Sequence, residues 1–166
     1  MNADGSGPTN LSNNLGRDGA PDWSPDGTQI ATTGEDGIAR LWDATTGEQL
    51  RQFERGNMWG DWSPDGASLV FAEGPGNYAL SIWDAKTGVE LQRLAAPEAG
   101  EEITATALSP DGHIVAIAGV AGGDEGWCTV ESADTGELLH ELMPPTTGVN
   151  PRDVVFSPDG KRLAIA

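Results

Sequence analysis

Trp23-Ser24-Pro25-Asp26-Gly27-Thr28-Gln29-Ile30-Ala31-Thr32 joins a tight-turn tetrapeptide to a short apolar run, and the tetrapeptide recurs along the chain. Ser-Pro-Asp-Gly begins at Ser24, Ser63, Ser109 and Ser157, at intervals of 39, 46 and 48 residues. Proline presets its own φ, Ser and Asp side chains bond nearby backbone, and Gly accepts a positive φ, so the tetrapeptide predicts a turn. Its spacing, on the order of 40–50 residues, indicates a repeat fold.

A second marker follows the first three turns in the same order. Trp-Asp-Ala-Thr-Thr-Gly at 42–47 is repeated as Trp-Asp-Ala-Lys-Thr-Gly at 83–88. The third copy, Glu-Ser-Ala-Asp-Thr-Gly at 131–136, is more divergent. Four short apolar runs, separated by turn residues, fill each period. They are too short, and too often broken by Gly or Pro, for the helical spacing of three and four. The pattern therefore predicts an all-β chain of four-stranded antiparallel propeller blades.

The period, the Ser-Pro-Asp-Gly turn and the ending Ala39-Arg40-Leu41-Trp42-Asp43 resemble the WD-repeat family of β-propellers over roughly residues 20–166. The resemblance implies that the first strand of each blade is innermost and that the ring is incomplete. It divides the rest of the chain into three blades at about 20–53, 58–94 and 103–142, and a half blade at 152–166. Residues 1–19 are rich in Gly, Asn, Asp and Ser with few apolar groups, and they are expected to form a flexible N-terminal arm.

The same resemblance implies a polar network inside a blade, in which the family joins a His, a Ser or Thr, an Asp and the Trp. Asp36, Trp42 and either Thr32 or Thr33 match three of its members, with Thr32 taken as the network residue, but no His precedes the first Ser-Pro-Asp-Gly. The third unit lacks both the Trp and the Asp of the marker. We therefore expect the blades to depend on apolar packing more than on this network.

Composition excludes several classes of function. The 166 residues carry 26 acidic and 9 basic side chains, a formal net charge of −17, which disfavours binding to nucleic acids and to anionic membranes. The polar N-terminus is unlike a signal peptide, and no apolar run of about 20 residues is present, so the chain is expected to be cytoplasmic. Cys128 is the only cysteine and is expected to be a buried filler.

Catalytic and metal-binding motifs are not recognisable, so no enzyme activity, no metal and no cofactor are predicted. The aspartates of the four Ser-Pro-Asp-Gly turns are interpreted as turn residues. The glycine-rich segment 119–126 has no basic residue and is interpreted as a long loop between strands. Asp22 and Asp61 precede tryptophans on innermost strands, where the favoured interpretation is that they line a wet central channel.

The tryptophans divide into core and loop candidates. Trp23 and Trp62 match Leu108 and Phe156 in the later repeats and are predicted to be core. Trp59 lies between the last strand of one unit and the first strand of the next, in a loop of the kind that contacts partners in this family. It could equally fill space between blades. The candidate partner-binding residues are Arg55, Asn57, Met58, Trp59 and Arg152.

The favoured function is a non-catalytic WD-repeat scaffold for protein–protein interaction, expected to be a truncated part of a larger propeller, with a protein partner of unspecified identity. The alternative is the propeller segment of a multidomain enzyme, a kinase or hydrolase whose catalytic residues lie outside these 166 residues. A third hypothesis is a gene fragment without a folded product. The apolar last run at 163–166 would leave an open strand edge, which favours self-association.

Overall fold

The chain is described by a computed structural model that covers residues 18–54, 60–73, 79–94 and 101–166. These residues form fourteen β-strands in antiparallel sheets and contain no helix, which confirms the predicted all-β class. No helix suited to crossing a membrane occurs within them.

Each sheet is a meander of consecutive strands, because each turn connects two neighbours in the sequence. The first sheet consists of β1 (Asp18–Trp23), β2 (Gln29–Gly34), β3 (Ile38–Asp43) and β4 (Gln49–Glu54). The second consists of β5 (Gly60–Trp62), β6 (Ser68–Ala72), β7 (Leu80–Asp84) and β8 (Glu90–Leu94). The third consists of β9 (Glu101–Leu108), β10 (Ile114–Ala121), β11 (Glu125–Ser132) and β12 (Leu138–Thr147). A two-stranded sheet of β13 (Val154–Phe156) and β14 (Leu163–Ile165) follows.

The glycine-rich segment of the third sheet is a tight hairpin, so its interpretation as a long loop was wrong. β10 extends to Ala121 and β11 begins at Glu125, and these two residues pair across the turn. Gly122 and Gly123 have φ of 59° and 93°, a left-handed backbone that reverses the chain within three residues. Gly119 lies within β10, where a Cβ would come within 2.3 Å of the Glu102 carbonyl oxygen.

Three apolar cores lie between successive sheets. Phe53 of the first sheet packs on Phe71 and Trp83 of the second, with ring centroids 5.4 and 5.6 Å apart. The core between the second and third sheets includes Leu94 and Trp127. The buried residues between the third sheet and the two-stranded sheet are mostly small, and they are Ala105, Ala107, Ala116, Ala118, Cys128, Val130 and Val154. Face-to-face burial of this kind is what joins propeller blades.

The first strands of the four sheets, β1, β5, β9 and β13, contact one another in sequence, so they lie nearest the common axis. The ring formed by the described sheets is not closed. This arrangement corrects the prediction that Trp23 is core, because Trp23 is 57% exposed whereas Trp62 is 5% exposed. Trp62 packs against the sheet that precedes its own. No described sheet precedes β1, so nothing in the described part of the chain covers Trp23.

Candidate functional site

Four of the predicted partner-binding residues, Arg55, Asn57, Met58 and Trp59, lie outside the described residues. The fifth, Arg152, is exposed just before β13. Its backbone N–H donates a hydrogen bond to the carbonyl of Ala166 at 2.6 Å, which ties the start of the two-stranded sheet to its last strand. Arg152 also lines a cavity near the propeller axis.

The three residues assigned to the polar network separate into two groups. The indole Nε1–H of Trp42 donates to Oγ1 of Thr32 at 2.9 Å. Asp36 instead pairs with Arg40 at 2.5 Å and accepts a hydrogen bond from the backbone N–H of Ile38. The Arg40 guanidinium holds the pKa of Asp36 below its usual value. The structure thus brings Thr32 and Trp42 together and places Asp36 at a turn with a different partner.

The four Ser-Pro-Asp-Gly turns share one hydrogen-bonding pattern. In each, the Ser hydroxyl donates to the Asp Oδ1, at 2.6 to 2.7 Å, in the pairs Ser24–Asp26, Ser63–Asp65, Ser109–Asp111 and Ser157–Asp159. The same Asp accepts from the backbone two residues later, and these bonds lower the pKa of all four carboxyls. Carboxylates engaged in this way make rigid turns.

A cleft of about 590 Å³ opens between the first two sheets, at the end where these turns lie. Its apolar residues include buried Leu41 and Trp62 and the 43% exposed Leu50. Lys86 and Arg51 add positive charge, and the Arg51 guanidinium reaches the Thr87 carbonyl across the sheet boundary. The remaining lining residues belong to the two turns and their flanks: Ser24, Pro25, Asp26, Gln29, Asp65, Gly66 and Ala85. Apolar surface ringed by both signs of charge is suited to a peptide segment.

A second cavity, of about 320 Å³, lies beside the axis between β5, β9 and the start of β13. It is lined by Asp61, Thr104, Ala105, Thr106, Arg152 and Asp153. Burial raises the pKa of Asp61 to about 6, and the nearby negative charges of Asp22 and Asp153 act in the same direction. The carboxyl therefore loses its proton at a pH about two units higher than an exposed aspartate does.

Asp153 is the member of this group that sequence reasoning missed. Alignment on the turns places Val155, not an acidic residue, opposite Asp22 and Asp61. Asp153 lies two positions before Val155, immediately ahead of β13. It reaches the axis only because β13 packs against β9. Across the described ranges, no grouping of three or more His, Cys, Asp or Glu side chains has the geometry to hold a metal ion.

Comparisons with known proteins agree with this architecture. A family model described as "WD domain, G-beta repeat" matches residues 20–43. The chain is similar to WD repeat-containing protein slp1 of Schizosaccharomyces pombe, with 27% identity over 154 residues, covering 87% of the chain and 29% of slp1. It is 31% identical over 65 residues to the WD repeat-containing protein 26 homolog of Arabidopsis thaliana, covering 37% of the chain and 11% of that protein.

A third relative is Protein HIR1 of Cryptococcus neoformans, with 28% identity over 155 residues, covering 84% of the chain and 17% of HIR1. The chain thus spans less than a third of the length of each of these curated relatives. Two of the alignments run over most of the chain, so the likeness extends beyond the single repeat that the family model matches.

Proposed function

We propose that this chain, whose antiparallel sheets resemble WD-repeat β-propeller blades, is a scaffold that binds a protein partner in the cleft between its first two sheets. The observation that carries the proposal is the cleft itself, with Leu50 exposed beside the charged Lys86 and Arg51. A partner peptide would bury Leu50 and pair its own charges with these side chains.

The walls of the cleft support the proposal because they are preorganised. Ser24 and Ser63 are buried, and each bonds the Asp of its own turn. A surface that is already rigid loses little conformational entropy on binding, so more of the contact energy remains as affinity. The relatives that the chain resembles include two named as WD repeat-containing proteins, which is consistent with a repeat used as a module.

The proposal is tested by affinity capture with the full chain and quantitative mass spectrometry. We expect Leu50→Ser and Lys86→Glu to reduce recovery of the same partner at least tenfold. Leu138→Ser is the matched control, because Leu138 is an exposed leucine on β12 and does not line the cleft. Equal recovery by all three variants would contradict a binding role for the cleft.

A further inference from the structure

The axis cavity holds more negative charge than its surroundings neutralise. Asp61 and Asp153 line it, and Asp22 lies close enough to raise the pKa of Asp61. Within the described ranges no ion pair joins Arg152 to these carboxylates, although Arg152 lines the same cavity. Backbone N–H groups supply hydrogen bonds, from Val154 to Asp153 at 2.9 Å and from Trp62 to Asp61. Even with the positive charge of Arg152 counted, the carboxyls of Asp61, Asp153 and nearby Asp22 leave an excess of negative charge, so the cavity favours a cationic occupant.

An independent observation is the Thr106 hydroxyl. Thr106 is only 7% exposed, lines the cavity, and its Oγ1 has no hydrogen-bond partner among the described residues. Its neighbour two residues earlier, Thr104, donates to the Pro151 carbonyl at 2.6 Å. A buried hydroxyl without a partner costs free energy unless a ligand supplies one. Thr106 therefore offers a buried hydroxyl to which a ligand in the cavity can hydrogen-bond.

The chemistry of the occupant follows from the spread of these groups. The carboxyls do not converge as metal ligands do. A planar guanidinium has five N–H donors and can bond acceptors that lie apart from one another. A compact ammonium or metal ion cannot span such acceptors. We propose that the axis cavity binds an arginine side chain of the protein partner, held by Asp61 and Asp153 and by the Thr106 hydroxyl as acceptor.

The partner's identity as a protein rests on the proposed scaffold function, but the cavity can be tested with a small probe. The full ¹⁵N-labelled chain is titrated with N-acetyl-arginine amide, N-acetyl-lysine amide and N-acetyl-citrulline amide, the last being an uncharged analogue of the first. We expect arginine amide to shift the backbone resonances of Asp61, Thr106 and Asp153 and to bind at least tenfold more tightly than citrulline amide. Equal binding of citrulline amide, or equal binding of lysine amide, would overturn the arginine assignment.

Variants distinguish binding in the cavity from a general effect of the negative charge of the chain. Asp61→Asn and Thr106→Val should each weaken arginine amide at least fivefold. Thr106→Val should not lower thermal stability, because the hydroxyl it removes has no partner in the described structure. Asp124→Asn removes the same charge from an exposed hairpin turn and should leave affinity unchanged. If Asp124→Asn weakens binding as much as Asp61→Asn does, bulk electrostatics explains the effect and the site is wrong.

The outcomes also distinguish this inference from the proposed function. If Leu50→Ser abolishes partner capture while Asp61→Asn leaves both capture and arginine amide binding intact, the scaffold role stands and the arginine site fails. If arginine amide binds at the axis while no partner depends on the cleft, the cavity stands and the cleft proposal fails.

Discussion

The indole Nε1–H of Trp42 donates a 2.9 Å hydrogen bond to Thr32 Oγ1, linking the third and second strands of the first sheet. The corresponding Trp83 of the second sheet has a buried Nε1 with no partner in the described part of the chain. The reason lies in the neighbouring strand, where the residue equivalent to Thr32 is Phe71, which offers no acceptor. The two tryptophans occupy the same position in their sheets, but of the two only the indole N–H of Trp42 is hydrogen-bonded within the described residues, so they contribute differently to stability.

Replacing each tryptophan with phenylalanine tests this difference. Both changes lose similar volume, but only Trp42→Phe breaks a partly buried hydrogen bond and leaves Thr32 without its donor. We expect Trp42→Phe to lower the free energy of unfolding by about 1–2 kcal/mol more than Trp83→Phe does. Urea unfolding followed by circular dichroism measures both. Equal losses would show that the Trp42–Thr32 bond contributes no net stability.

Glycine at position 119 allows β10 to pack closely in the third sheet. A Cβ there would lie 2.3 Å from the Glu102 carbonyl oxygen and 2.5 Å from the Trp127 ring, neither of which can retreat easily. We expect Gly119→Ala to destabilise the chain by about 1–3 kcal/mol. Gly19→Ala is the matched control, since no heavy atom lies within 4 Å of its Cβ position. The prediction fails if the two alanine variants unfold at the same urea concentration.

Trp62 and Trp23 are equivalent by sequence and differ in burial. Trp62 packs with Leu41 and Phe53 of the preceding sheet, so Trp62→Ala should cost about 3–5 kcal/mol. Trp23 is exposed, and Trp23→Ala should cost less than about 1 kcal/mol. Thermal unfolding measures both, and its cooperativity in the wild-type chain also tests the hypothesis of a gene fragment without a folded product. A large loss for Trp23→Ala would indicate that another surface covers it.

The Asp61 carboxyl should make stability depend on pH. Its folded-state pKa of about 6 exceeds the unfolded value, so the folded chain holds the extra proton between about pH 4 and 6. The stability associated with this proton is fully present below about pH 4 and is lost as the pH rises through 6. We expect Asp61→Asn to be roughly 1–3 kcal/mol more stable than the wild-type chain at pH 7 and to gain nothing at pH 4.

The measurement is the difference in unfolding free energy between Asp61→Asn and the wild-type chain from pH 4 to 8. This difference cancels the contribution of the turn aspartates, whose lowered pKa values give stability that is lost as the pH falls below about 4. A flat difference for Asp61→Asn would mean that neither burial nor the neighbouring carboxylates raise the pKa of Asp61 in the folded chain.

Local chemistry along the sequence determined the turns and the order of the strands. Ser-Pro-Asp-Gly closes each first hairpin because proline, the Ser–Asp hydrogen bond and a glycine of positive φ act within four residues. The Trp-Asp marker likewise closes the hairpin between the third and fourth strands. In the first sheet Asp43 accepts hydrogen bonds from the backbone N–H groups of Thr45 and Thr46. These interactions need no distant part of the chain, so the residues alone predicted them.

Burial and charge proximity were decided by the tertiary structure. The sequence treats Trp23 and Trp62 alike, yet only Trp62 has a sheet packed against it. The sequence likewise separates Asp61 from Asp153 by 92 residues and places them at different positions of the repeat. They share a cavity because the first strands of the sheets converge on one axis. Periodicity sets the position of a residue within its own sheet, whereas its environment depends on which sheets lie beside it.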